Sequence, residues 1–208
     1  YPITFLLGNF AINLFLFIFN FLLILGFFKN CYNYKVLNKY ILYLLFFLFL
    51  SFVINLIFSN NFHLTYPRVL KFILIIGSIL SFKQLLLGFK STEINKLYKI
   101  WSIIFVIVIF DIIFELIFKI NVIGLKSFMP GRVASFSGNE LNIGHFFSAF
   151  SLIFMSFVYV NYKNISLNLI IGILLITISF LIGERSNFIK TLLIISAFIF
   201  LIHQIKVK

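Results

Sequence analysis

The chain has 208 residues, of which 62% are hydrophobic and 11% are charged, and its net charge is +12. An average soluble domain is about 45–50% apolar and about 25% charged, and a soluble fold of this length buries too little surface to hide so many apolar side chains. These values exclude an ordinary soluble domain and predict a membrane protein. The basic residues lie between apolar stretches, so membrane topology explains the charge better than a nucleic-acid partner does.

The predicted elements are transmembrane helices, since a span needs about 20 mostly apolar residues. The chain begins with Tyr1 and not Met, and Gly8-Asn9 interrupts the first apolar run, so we expect a truncated first helix. Complete spans are predicted at about 10–28, 40–58, 68–88, 100–118, 141–160, 165–182 and 187–204.

A longer irregular stretch is predicted at about 119–140, where it contains Met129-Pro130-Gly131. The predicted fold class is all-α, a polytopic transmembrane helical bundle of about six or seven spans. No repeat, linker or charge block divides residues 1–208. We therefore predict a single transmembrane domain in contact with the lipid bilayer, and expect it to be a fragment of a longer chain.

Alternate loops divide the charged residues between the two sides of the membrane. One side has ten lysines against Glu93, ten minus one or +9, and the other has seven basic residues against four acids, or +3. The lysine-rich side is predicted to be cytoplasmic. The outer side then holds all three arginines and four of the five acids; its charged residues are Arg68, Lys71, Lys119, Lys126, Arg132, Arg185 and Lys190, with Asp111, Glu115, Glu140 and Glu184.

Two outer clusters contain the candidate site residues. In the first, Arg132 opens a polar loop that runs through Glu140 to His145, at the start of a span. The second is Gly183-Glu184-Arg185-Ser186-Asn187, at the boundary between two spans. The planar guanidinium group suits bidentate binding of phosphate, so we predict that Arg132 and Arg185 bind a lipid pyrophosphate. Glu140 or His145 is predicted to act as a general base on an incoming hydroxyl group.

These residues also have simpler interpretations. An arginine at a helix end commonly reaches lipid headgroups, and Glu184 beside Arg185 is typical of a boundary salt bridge. Asp111 and Glu115 lie one turn apart on one helix face, and ionisable groups inside a membrane are functional candidates. With Glu184, they are predicted to support the arginines. No zinc spacing, phosphate loop or dinucleotide fingerprint occurs, so the sequence predicts neither a metal nor a cofactor.

Two alternative functions stay open. The first is a membrane transporter or flippase that uses Asp111 and Glu115 as an ion or proton relay near the middle of the membrane. The sequence shows no paired broken helices in matching halves, which weighs against it. The second is a non-catalytic scaffold whose arginines anchor to phospholipid.

Several short motifs occur together along the chain. They are Gly8-Asn9 with Asn13, Asp111 with Asn121 and Gly124, Arg132 with Ser137-Gly138-Asn139-Glu140-Leu141 and Gly144, and Gly183-Glu184-Arg185-Ser186. In these positions, spread over nearly the whole sequence, the chain resembles the bacterial O-antigen ligase and O-antigen polymerase superfamily.

The resemblance implies a multi-pass glycosyltransferase of the GT-C type in the bacterial inner (plasma) membrane. Such enzymes of polysaccharide and lipopolysaccharide synthesis transfer a glycan from an undecaprenyl-pyrophosphate donor at the periplasmic face, without a metal. By position, Arg132 and Arg185 match the family's pyrophosphate-binding arginines. Because the family carries a further periplasmic loop downstream, we expect residues 1–208 alone to be inactive. Neither the sugar nor the choice between polymerase and ligase is implied.

Overall fold

The computed structural model describes residues 9–28, 39–59, 62–137 and 142–207. These residues form seven α-helices and one short 3-10 turn, in agreement with the predicted all-α class. The helices are α1 (Asn9–Phe28), α2 (Lys39–Ile57), α3 (Phe62–Gly88), α4 (Ser91–Phe118), α5 (Ile143–Tyr162), α6 (Ile165–Leu181) and α7 (Arg185–Val207), and the 3-10 turn is Ser135–Ser137. The predicted truncated first helix lies outside the described residues.

The helices have the length and composition of membrane spans. Within the described part of the chain, α3, α4, α5 and α7 are long and apolar enough to cross a membrane, and α1, α2 and α6 are shorter apolar helices. Large apolar side chains cover their outer surfaces: on α4, Phe105 is fully buried whereas Phe110 is 63% exposed. Such a surface requires lipid, so this is a membrane protein.

Two helices begin earlier than their predicted spans. The helix α3 begins at Phe62 and includes Pro67, and α4 begins at Ser91 with Glu93 in its first turn. Hydropathy finds where apolar residues begin, whereas a helix begins where its backbone hydrogen bonds begin. Pro67 lies in the second turn, where its missing N–H removes a single bond. Glu93 complements the positive end of the α4 dipole.

The described residues divide into two compact units, one of residues 13–90 and the other of residues 91–207 with the first residues of α1. In the first unit, α1 meets α3 through a polar contact. The side-chain amide of Asn20 donates to the carbonyl of Leu74 at 2.8 Å and to the hydroxyl of Ser78 at 3.0 Å. Gly77 leaves room for it, since a Cβ there would lie 3.0 Å from Asn20 Cγ and closer still to Oδ1. The prediction of one domain stays a prediction.

Replacing Gly77 by Ala is expected to loosen this helix pair. The new methyl group would push the Asn20 amide away from its acceptors on α3. Gly88→Ala is the matched control, because nothing lies within 4 Å of a Cβ at Gly88. Thermal unfolding in detergent should find Gly77→Ala less stable than Gly88→Ala by about 1–2 kcal/mol. Equal stability of the two variants would contradict the contact.

The second unit has an aromatic core between α4 and α5. The ring centroid of Phe105 lies 6.2 Å from that of Phe146, 5.2 Å from that of Phe147 and 5.5 Å from that of Phe154. The helix α7 packs on both α5 and α6. Within this unit, α4 and α6 end where α5 and α7 begin, and the candidate site lies at that end.

Candidate functional site

Two buried carboxylates on α4 hold the irregular segment that follows it. Asp111 is fully buried and Glu115 is 5% exposed, so both lie on the inward face of the helix, one turn apart as predicted. Asp111 Oδ1 accepts from the N–H of Val122 at 2.8 Å, and its Oδ2 accepts from the hydroxyl of Ser135 at 2.5 Å. Glu115 accepts from the N–H groups of Ala134 at 3.3 Å and Ser135 at 2.6 Å.

Both carboxylates thus meet at Ser135, which has a left-handed backbone with φ of 50°. A residue other than glycine in this region is strained, and the hydrogen bonds to its N–H and hydroxyl compensate. Asn121 completes the arrangement from inside the segment. Its side-chain oxygen accepts from the N–H groups of Ile123 at 3.1 Å and Leu125 at 2.7 Å, and its amide donates to the Ser135 carbonyl at 2.8 Å.

The segment after α4 is therefore irregular in backbone but well supplied with hydrogen bonds. Irregular backbone near a membrane is tolerated where protein groups satisfy it. Sequence reasoning gave Asn121 and Ser135 no structural role. The signal for Asn121 was its place at the head of Asn-Val-Ile-Gly, because asparagine side chains commonly cap such turns.

Arg132 lies against the turn between α6 and α7. The N–H of Val133 donates to the carbonyl of Ile182 at 3.2 Å. A Cβ on Gly183 would lie 2.5 Å from the carbonyl oxygen of Gly131 and 3.4 Å from Arg132 Cγ. This close approach puts Arg132 beside a residue only two positions before Arg185.

Both arginine side chains are exposed, and Arg185 is the first residue of α7. Gly183 belongs to the second cluster predicted from sequence and Arg132 to the first. The α6–α7 turn of the second cluster is therefore the surface on which the start of the first cluster packs. The sequence did not predict that the backbone at Gly131 and Arg132 lies so close to Gly183.

Glu184 faces away from solvent at the same turn. It is 8% exposed, and its Oε2 accepts a short hydrogen bond from the amide of Asn187, which is 2% exposed. Its Oε1 is buried with no hydrogen-bond partner among the described residues. Gly144, in the first turn of α5, lets the carboxylate approach, since a Cβ there would lie 2.7 Å from Glu184 Cδ. The positive end of the α5 dipole favours a negative charge at this position.

The two remaining candidate residues are His145 and Glu140. His145 is exposed in the first turn of α5, and Glu140 lies outside the described residues. Among the residues that the structure describes, no three His, Cys, Asp or Glu side chains are grouped so that they could hold a metal ion.

A cavity of about 380 Å³ opens beside Arg132, between the end of α4 and the segment that follows it. Its wall contains three charged side chains, from Glu115, Lys119 and Arg132. The remaining lining residues are apolar or small: Leu116, Ser127, Met129, Pro130, Gly131, Val133 and Leu181. Arg185 is not part of this wall.

Comparison with known protein families, curated proteins and solved structures finds none that matches this chain. The fold and the site thus define a helical membrane protein with a cationic pocket at one end of a helical unit. The resemblance to the O-antigen ligase and polymerase superfamily stays a hypothesis.

Proposed function

We propose that this chain belongs to a bacterial inner-membrane glycosyltransferase that transfers a glycan from an undecaprenyl-pyrophosphate donor, as an O-antigen or polysaccharide polymerase or ligase. The observation that carries the proposal is the packing of Arg132 on the Gly183 turn, two residues before Arg185. Two guanidinium groups distant in sequence thereby belong to one end of the same helical unit. The motifs that resemble the superfamily include both arginines.

The chemistry of the reaction explains why such a pair is useful. When the glycan leaves its carrier, negative charge develops on the pyrophosphate, and fixed cations lower the energy of that transition state. Arginine stays charged at any relevant pH and binds phosphate oxygens in pairs. The hydrogen bonds of Asp111 and Glu115 hold the backbone that carries Arg132, so little reorganisation is needed when the donor arrives.

The charge distribution supports a periplasmic position for this site. Over the whole sequence, ten lysines belong to the side that is predicted to be cytoplasmic, against seven lysines and arginines on the side of Arg132 and Arg185. The lysine-rich side of a bacterial inner-membrane protein faces the cytoplasm. The proposal therefore puts Arg132 and Arg185 at the outer leaflet, where a translocated lipid-linked glycan is available.

The test is conservative replacement of each arginine in the full-length protein. Arg132→Lys and Arg185→Lys keep the charge but lose the bidentate geometry, and each is expected to lower glycan chain extension by about 10²–10³-fold. Chain extension would be measured from the length distribution of the glycan in cells that lack the native copy. Arg68→Lys is the matched control, since Arg68 is exposed on the same predicted side but belongs to the other unit. Normal glycan chains from both site variants would refute the proposal.

A further inference from the structure

The cavity beside Arg132 combines a charged wall with an apolar one. Lys119 and Arg132 supply two positive charges, and Leu116, Met129 and Leu181 supply apolar surface. A volume of about 380 Å³ lies within the usual range for a small-molecule site. Such a wall suits an anionic group attached to a hydrocarbon chain.

The third charged group of the cavity wall, Glu115, already accepts hydrogen bonds from the backbone. Its two oxygens accept from the N–H groups of Ala134 and Ser135, so they are already hydrogen-bonded to the backbone. Lys119 and Arg132, in contrast, are both exposed, and they are two cations against one carboxylate. The cavity therefore presents net positive charge to an entering ligand.

The backbone of Lys119 allows its side chain to be removed without loss of stability. Lys119 follows the last turn of α4 with φ of 62°, and its N–H donates to the Glu115 carbonyl at 2.8 Å. Glycine is the usual residue at this left-handed position, because any Cβ is strained there. A lysine here is therefore expected to be less stable than a glycine, and its side chain puts a cation in the cavity wall.

We infer that this cavity binds the diphosphate end of a prenyl lipid, with Lys119 as a second cation beside Arg132 and the first isoprene units against Leu116, Met129 and Leu181. The inference rests on the proposed function and adds to it a binding residue outside the two arginine motifs. Arg185 lies outside the cavity wall, so its part in the proposed function is tested by glycan chain extension and not by binding to this cavity.

Lys163 makes a matched control available. It follows the last turn of α5 with φ of 49°, and its N–H donates to the Tyr159 carbonyl at 2.8 Å, as Lys119 does at the end of α4. It lies at the opposite end of the unit and does not line the cavity. Lys119→Gly and Lys163→Gly should therefore relieve the same strain, and each is expected to raise the Tm by about 2–4 °C.

The experiment measures binding of a radiolabelled polyprenyl diphosphate to the full-length protein in nanodiscs of phosphatidylglycerol and phosphatidylethanolamine. Lys119→Gly is expected to weaken binding by about tenfold or more while the protein becomes more thermostable, whereas Lys163→Gly leaves binding unchanged. Lys119→Arg should retain most of the affinity. Inorganic pyrophosphate should compete at least tenfold more weakly than the lipid, because it lacks the hydrocarbon chain.

The outcomes separate this inference from the proposed function. If Lys119→Gly binds the lipid normally while Arg132→Lys does not, Lys119 has no part in the site and the inference fails while the function stands. If inorganic pyrophosphate competes as well as the lipid, the apolar wall has no role and the prenyl assignment is overturned. If neither Lys119→Gly nor Arg132→Lys changes binding, this cavity is not the lipid site and the inference fails, whereas the proposed function fails only if both arginine variants also make normal glycan chains.

Discussion

Gly183→Ala is expected to be the most damaging small substitution in residues 91–207. Gly183 has φ of 84°, where a side chain costs about 1–2 kcal/mol, and its Cβ would lie 2.5 Å from the carbonyl oxygen of Gly131. Backbone on both sides of this contact leaves little room to relax, so overpacking adds about 1–3 kcal/mol. We expect a total loss of about 2–5 kcal/mol. Because Arg132 packs on this turn, glycan chain extension should fall with it.

Gly124→Ala is the control that separates strain from packing. Gly124 has φ of 89°, close to that of Gly183, but nothing lies within 4 Å of its Cβ position. Thermal unfolding in detergent should show a loss of about 1–2 kcal/mol for this variant, from the backbone strain alone. If the two alanine variants were equally stable, the close approach of the Arg132 segment to the α6–α7 turn would be wrong.

Glu115→Gln is expected to destabilise the protein far more than Asp111→Asn. Both oxygens of Glu115 accept from backbone N–H groups, those of Ala134 and Ser135. A glutamine must turn its NH₂ group toward one of these donors, which leaves a buried N–H without an acceptor at a cost of about 1–3 kcal/mol. Asp111 accepts from one N–H and from the Ser135 hydroxyl. A hydroxyl can reverse its role and accept from an asparagine, so Asp111→Asn should cost about 1 kcal/mol or less.

Hydrogen exchange of the Ser135 N–H, together with the Tm of each variant, would measure this difference. The same pair tests the transporter alternative. A proton or ion relay needs a titratable group at both positions, so it predicts that Asp111→Asn abolishes activity without loss of stability. If the two carboxylates only hold the backbone, activity should be near normal in Asp111→Asn, and the 119–137 segment should loosen in Glu115→Gln.

The sequence predicted the helices well because each needs only about 20 consecutive apolar residues to be recognised. The seven helices of the described residues match the seven predicted spans in position, and four of them are long and apolar enough to cross a membrane. The errors lie at polar helix ends. The first turns of α3 and α4 contain His63 and Glu93 and were predicted as loops, since hydropathy does not register a helix that continues beyond the apolar region.

The candidate site was predictable only in part. Charge counting placed Arg132, Arg185 and the four outer acids on one side, because loop charge is a property of the chain alone. The spacing of Asp111 and Glu115 placed them on one helix face. No pattern in the sequence indicated that these carboxylates accept from the backbone around Ser135, or that Glu184 lies buried against Gly144.

By itself, the sequence determined that this is an all-helical membrane protein and where its apolar helices lie. Composition and a fixed rise per residue are sufficient for that. Tertiary structure alone decided that the Arg132 segment packs on Gly183 and that Lys119 and Arg132 share a cavity. These contacts join residues that are not neighbours in the sequence, so no local pattern encodes them. Glycines allow the backbones to approach, and carboxylates accept the hydrogen bonds of an irregular loop.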